Sequence, residues 1–300
     1  MMEAQSEQLF INGAFVAAES GQTFESHNPY DGSLVGTYAR GAAADIDKAV
    51  QAARQAFDDG PWTRMTLEER AACLKQLSEK IEEHGRELGK LELADSGATI
   101  RKVKTDVFLA AKQMAYFAKL AAKDWSQPVD GMNKEGVSQN ILVREPIGVC
   151  AQITPWNFPL MMIIWKLGMA LAAGCTVVLK PAEETPASAM MLARLIAETD
   201  IPAGVVNIVT GTGQEAGEPL AKHPGVDKIA FTGSTEIGRH MLTCAAPMMK
   251  KVTLECGGKS ANIILDDADL EMAVDGALFG AFYHAGQCCT AGTRILVQSG

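Results

Sequence analysis

Leu160 to Leu179 closes on Gly174-Cys175-Thr176-Val177-Val178-Leu179, and the reading of this stretch decides the fold. Lys166 is its only charged residue, so it is nearly long and apolar enough to cross a bilayer. Gly174 interrupts it, however, and β-branched Thr176-Val177-Val178 favours an extended strand. The stretch therefore reads as a buried helix, Leu160 to Ala173, followed by a buried strand. Working outward, short apolar runs recur at Gly148–Ile153, Val205–Val209, Lys228–Phe231 and Lys250–Leu254. Helical patterns separate them at Ala187–Thr199, Gln214–His223 and Thr235–Ala246. Strands alternating with helices at this spacing predict an α/β fold, a Rossmann-like parallel sheet with flanking helices.

Before that unit, Ile46, Val50, Ala53 and Phe57 fall at helical spacing until Asp58-Asp59-Gly60-Pro61 stops them. Thr66-Leu67-Glu68-Glu69 has the form of a capping box, with Leu67, Leu74, Leu77, Ile81 and Leu88 as the stripe behind it. A further helix is expected over Ile100–Lys123, then a break at Gln127–Gly131 and a strand over Ser138–Arg144, with Ile141 and Val143 on one face. After the α/β unit, Ile263-Ile264-Leu265 reads as a strand, Asp269 to Phe282 as a helix and Thr293–Gln298 as a strand. No internal repeat or low-complexity tract is visible. Four segments result: helical 1–125, extended 126–146, the α/β unit 147–257, and 258–300 as the start of another α/β domain.

Composition narrows the function. The 300 residues are 47% hydrophobic and 21% charged, enough for a sizeable core. A net charge of −9 argues against nucleic acid, which is bound through clustered Lys and Arg. The seven cysteines show no paired metal-ligand or disulfide spacing, so no metal is expected and a reducing cytoplasm fits best. Met1 to Ile11 holds Glu3 and Glu7 and no basic-then-apolar leader pattern. No membrane partner is expected.

Two segments carry the chemistry: Leu254-Glu255-Cys256-Gly257-Gly258-Lys259-Ser260 and Phe282-Tyr283-His284-Ala285-Gly286-Gln287-Cys288-Cys289. Free cysteine is most often simply buried, and a lone Glu at a strand end is most often a solvated acid. Together they supply a thiol to attack a carbonyl and a carboxylate to activate water, the two parts needed to make and hydrolyse a thioester. Cys289 stands 34 positions after Glu255. These segments closely resemble the glutamate and cysteine signatures of the aldehyde dehydrogenase superfamily, separation included. Thr154-Pro155-Trp156-Asn157-Phe158-Pro159, Lys180-Pro181-Ala182-Glu183 and Phe231-Thr232-Gly233-Ser234-Thr235-Glu236-Ile237-Gly238 resemble further blocks of that family, in the same order.

The resemblance implies oxidation of an aldehyde to a carboxylic acid with NAD, through a thiohemiacetal and a thioester on Cys289. It selects Cys289, the second residue after Gln287, over Cys288. It implies that Glu255 activates the deacylating water and that the Asn157 amide and the Cys289 N–H hold the oxyanion. Loss of one such donor typically costs about 2.7–4 kcal/mol. Cys256 departs from the Leu found in many relatives. Gly211-Thr212-Gly213-Gln214-Glu215-Ala216-Gly217 is one residue longer than the usual dinucleotide fingerprint and sits on the wrong strand for it. In the family Gly213 lies near the cofactor, and the phosphates are held at the helix after Gly233-Ser234, with Ser234 and Gly238 the main candidates. Thr154, Trp156, Asn157, Glu255 and Gly257 complete the implied cofactor contacts. Lys180 and Glu183, otherwise a plain ion pair, would bind the adenosine ribose, with Glu183 repelling a 2′-phosphate and so favouring NAD over NADP. Lys166 either assists proton movement or is simply paired.

The resemblance gives the four segments roles. Residues 1–125 pack on the cofactor domain, 126–146 supply oligomerisation-type strands, 147–257 bind NAD, and 258–300 begin a catalytic domain. It runs from Leu9 to Gln298, whereas relatives continue further, so the chain reads as the N-terminal part of such an enzyme whose full-length form is a homodimer or homotetramer. Two other readings stay open: a semialdehyde dehydrogenase passing its thioester to coenzyme A, against which Glu255 counts, and a non-catalytic fragment that binds nucleotide or a partner subunit.

Overall fold

A computed structural model describes residues 5–129 and 140–299. The chain begins with five short strands, β1 (Gln5–Glu7), β2 (Leu9–Ile11), β3 (Ala14–Val16), β4 (Thr23–His27) and β5 (Leu34–Ala39). This corrects the expectation of a helical segment over 1–125, since helices start only at Ala43. Strands of three to six residues are too short to give a periodic signal, and these pair with distant chain: β2 lies antiparallel to a strand almost 200 residues later.

Four helices follow, α1 (Ala43–Asp58), α2 (Leu67–Glu83), α3 (Gly85–Ser96) and α4 (Ile100–Ala121). The capping box forms as expected: the Thr66 hydroxyl accepts from the Glu69 N–H at 3.2 Å, and the Glu69 carboxylate accepts from the Thr66 N–H at 2.8 Å. β6 (Gln127–Val129) pairs antiparallel with β7 (Asn140–Leu142). The Ser138 start of the expected strand and the Asp130-Gly131 end of the expected break lie outside the described residues.

From there strand and helix alternate: β8 (Val149–Ile153), α5 (Pro159–Ala172), β9 (Thr176–Lys180), α6 (Ala187–Ala197), β10 (Val206–Ile208), α7 (Glu218–Lys222), β11 (Lys228–Gly233), α8 (Thr235–Ala245) and β12 (Lys251–Cys256). Last come β13 (Ala261–Ile264), α9 (Leu270–Phe282) and β14 (Arg294–Val297), with β13 and β14 paired in parallel. The main sheet runs β12-β11-β8-β9-β10-β2-β3. Its first five strands are mutually parallel, and β2 and β3 add an antiparallel edge. Strands β8, β9 and β10 step one way from the centre while β11 and β12 step the other. The order therefore reverses between β8 and β11, and a parallel sheet opens a crevice at the carboxyl ends of the two strands flanking such a reversal.

The sheet separates two cores. Cys150, Val177, Leu179 and Ile208 face α2, α4, α5 and α6, while Val149, Ala151, Val178 and Val209 face α1, α7 and α8. Adjacent residues on one strand thus serve opposite cores, as the period of two requires. Where α4 crosses α5, Gly168 lets the Phe117 ring lie on the helix backbone, and any Cβ there would overlap the ring. Gly168→Ala is expected to lower stability by about 1–3 kcal/mol through overpacking. A urea midpoint equal to that of the native chain would show that the crossing yields without cost.

Candidate active site

The crevice expected at the strand-order reversal is present as a cleft of about 440 Å³. Ile153 and the loop Thr154–Phe158 form one wall, leaving β8. Phe231, Thr232, Gly233 and Ser234 form the other, leaving β11. Lys180 and Glu183 enter from the end of β9, Gly213 from the loop after β10, and Cys256, Gly257 and Cys289 close the far side. Ten of the twelve residues singled out in the sequence line this one cleft; Gly238 and Glu255 do not.

At the β9 end the Lys180 ammonium is buried and bonds the Glu183 carboxylate at 2.5 Å. The other Glu183 oxygen accepts the Gly213 N–H at 3.1 Å. Burial raises the Glu183 carboxyl, but the Lys180 charge and these hydrogen bonds outweigh it and leave it below its ordinary value. A half-exposed carboxylate is thereby held ionised at the cleft wall. Across from it, Ser234 caps α8, its hydroxyl accepting from the Ile237 N–H at 3.2 Å. Ser234 and Ile237 both line the cleft, so the positive end of α8 opens into it. Gly238 lies buried one turn along, where a Cβ would come within 2.9 Å of the Cys256 sulfur. Its small size serves the packing of α8 on β12.

On the opposite side, the Asn157 amide donates to the Gln287 carbonyl at 2.9 Å, tying the β8 loop to the segment that carries the two cysteines. Cys289 is exposed on the cleft, whereas the half-buried Cys288 thiol pairs with the Thr290 hydroxyl at 3.3 Å. Glu255 lies exposed at the carboxyl end of β12, in register with Thr232 of β11. Buried Lys166 of α5 lies within reach of its field. Desolvation lowers the Lys166 amine to about 8, with the Glu255 carboxylate opposing the fall.

Residues 15–300 match the family model described as "Aldehyde dehydrogenase family". The chain belongs to the aldehyde dehydrogenase family. It is 46% identical over 303 residues to aldehyde dehydrogenase family 2 member C4 of Arabidopsis thaliana, covering 99% of this chain and 60% of that protein. Against betaine aldehyde dehydrogenase of Bacillus subtilis (strain 168) the identity is 42%, covering 98% of this chain and 59% of the relative. Among solved structures, the NAD+ complex of an aldehyde dehydrogenase from Bacillus cereus superposes with a TM-score of 0.94 at 46% identity, over 98% of this chain and 59% of that one. The chain thus spans about three-fifths of the length of these relatives. Among the described residues, no helix is long and apolar enough to cross a membrane.

Sequence reasoning missed a buried charged layer behind this aldehyde dehydrogenase cleft. Lys102 and Asp106, one turn apart on α4, pair at 2.6 Å with almost no exposure. The Lys102 ammonium sits 4.3 Å from the Phe158 ring. From α3, the Glu92 carboxylate accepts the Leu160 N–H at 3.0 Å, and Asp95 accepts the Ala187 N–H at 2.8 Å. Two buried acids one turn apart therefore cap the first turns of α5 and α6. Burial raises both, Asp95 to about 7. The available signal was a Lys and an Asp set among Val103, Val107 and Ala110 on the buried stripe of an otherwise amphipathic helix.

Proposed function

We propose that this chain carries the NAD+ site and the reacting thiol of an enzyme that oxidises an aldehyde to a carboxylic acid. The observation that carries the reading is one cleft lined by the Lys180–Glu183 salt bridge and also by Cys289 and Asn157, whose amide is tied to Gln287 of the cysteine segment. The residues fit an adenine dinucleotide. Glu183 has lone pairs left to accept ribose hydroxyls, and the first turn of α8 offers N–H donors to phosphate oxygens. A 2′-phosphate would meet the Glu183 charge, which favours NAD+ over NADP+.

In this reading the Cys289 thiolate attacks the aldehyde carbon and forms the C–S bond of a thiohemiacetal. The Asn157 amide and the Cys289 N–H stabilise the oxyanion. Bound NAD+ would supply the acceptor for the hydride lost from that carbon. Glu255 then takes a proton from water, the hydroxide attacks the thioester, and the C–S bond breaks to release the acid and the thiolate. We further place the enzyme in a reducing compartment, and read the β6–β7 ribbon, with Val129, Ile141 and Leu142 exposed, as the strands that would meet a second copy.

Calorimetric titration of the 300-residue chain should show NAD+ binding that weakens about tenfold or more in Glu183→Gln, because hydrogen bonds to charged groups contribute about 1.5–3 kcal/mol. The preference over NADP+ should narrow in the same variant. Equal affinity for both dinucleotides in the native chain would refute the ribose assignment.

A further inference from the structure

Beside the thiol, the loop from α9 to Cys289 adopts an unusual backbone. His284 and Ala285 have φ of +54° and +55°, and Gly286 has +80°. Two consecutive non-glycine residues in the left-handed region persist only where their surroundings hold them. The His284 ring supplies such a hold. It is 3% exposed and packs edge-on against the Phe158 ring at 5.5 Å, with the Lys102 ammonium over the same ring. The main-chain carbonyl of Asn157 lies on the side of the imidazole where it favours a ring proton, while Nε2 is buried without a hydrogen-bond partner among the described residues. The Asn157 side chain is fixed separately, by the Gln287 carbonyl.

We propose that His284 is a positioning residue that registers Asn157 against Cys289, as a neutral imidazole donating its Nδ1–H to the Asn157 carbonyl. This rests on the reading of Asn157 as the oxyanion donor. The backbone of Asn157 is held from one residue of the cysteine loop and its amide from another, so the amide and the Cys289 N–H keep a common frame. The charges around the ring favour its neutral form. Lys102 of α4 is the cation against it, with Asp106 as the partner of Lys102, while Glu92 of α3 is a fully buried acid whose carboxyl is raised by burial, and Tyr283 lies beside the loop. Burial and Lys102 together hold the imidazole down at about 4. A second ring proton would point a donor into a place with no acceptor.

The test uses p-nitrophenyl acetate, which needs a thiolate and an oxyanion site but no dinucleotide. The thiolate attacks the ester carbonyl, p-nitrophenolate leaves, and an acetyl thioester remains. In His284→Gly the backbone keeps its freedom and only the ring is lost. Acylation of Cys289 should fall about 10²-fold, as a misplacement of about 1 Å allows. His284→Asn, which tolerates the left-handed region and carries an amide donor, should restore most of the rate. Asn157→Ala should be as slow as His284→Gly, and the double variant no slower than either. Nitrogen NMR of the histidines should show His284 neutral and Nδ1-protonated from pH 8 to 5. Native-rate acylation by His284→Gly beside a slow Asn157→Ala overturns the inference alone, and so does an Nε2-protonated ring. Absence of any Cys289-dependent acylation in the native chain overturns the reading of the site and the inference with it.

Discussion

Cys289→Ala is expected to abolish acetylation of the chain by p-nitrophenyl acetate, whereas Cys288→Ala should remain acetylated at one position. The two thiols are adjacent in sequence, so composition alone cannot rank them; their surroundings can. Cys289 is exposed on the cleft that Asn157 lines. Cys288 is half-buried, and its sulfur is engaged by Thr290. An oxyanion formed at Cys289 would lie near its own N–H and near the Asn157 amide, and losing one such donor costs a factor of about 10²–10³. One formed at Cys288 would have neither. The measurement is the rate of p-nitrophenolate release together with the mass of the cysteine-containing peptide. Equal loss in both variants would defeat the assignment, as would labelling divided evenly between the two sulfurs.

What the sequence disclosed depended on how local each feature is. The Thr66 and Glu69 capping box lies within four residues and was legible as a string. So were the strands β8 and β9, because a strand buried on both faces is a continuous apolar run. β2 and β3 were not, since Leu9–Ile11 is only three residues long and becomes a strand by pairing with β10. At the site, Lys180 and Glu183 are three apart and face one another as a strand end and turn permit, so the pair could be anticipated. The layer behind it could not. Lys102, Phe158 and His284 come from α4, the β8 loop and the loop after α9, and nothing in their separate neighbourhoods announces a shared contact. Gly238 carries a packing constraint that its sequence neighbourhood does not show: an added Cβ would come within 2.9 Å of the Cys256 sulfur across a tight helix–strand packing.

Glu255→Gln is expected to separate the two halves of the reaction: Cys289 should still become acetylated, but the thioester should persist. Formation of the C–S bond needs the thiolate and the oxyanion donors, and none of these involves Glu255. Breaking that bond by hydrolysis requires a proton to leave water as its oxygen attacks, and an amide cannot accept that proton. General base assistance contributes about 10²–10⁴-fold, so the acetyl-enzyme should live longer by that order in the variant. The placement suits the role, because Glu255 is the penultimate residue of β12, in register with Thr232 of β11, with Gly257 entering the cleft two residues later. The Glu255 charge also acts on the buried Lys166 amine of α5, whose main-chain carbonyl accepts from the Gln152 amide at 2.8 Å. Glu255→Gln keeps the size of the side chain, so a change in thioester lifetime reports on the proton acceptor more than on packing. The lifetime is read by mass spectrometry after excess ester is removed, following the acetyl mass on the Cys289 peptide. Deacylation at the native rate in Glu255→Gln would assign the base elsewhere, and failure to acylate would show that Glu255 acts before the thioester forms.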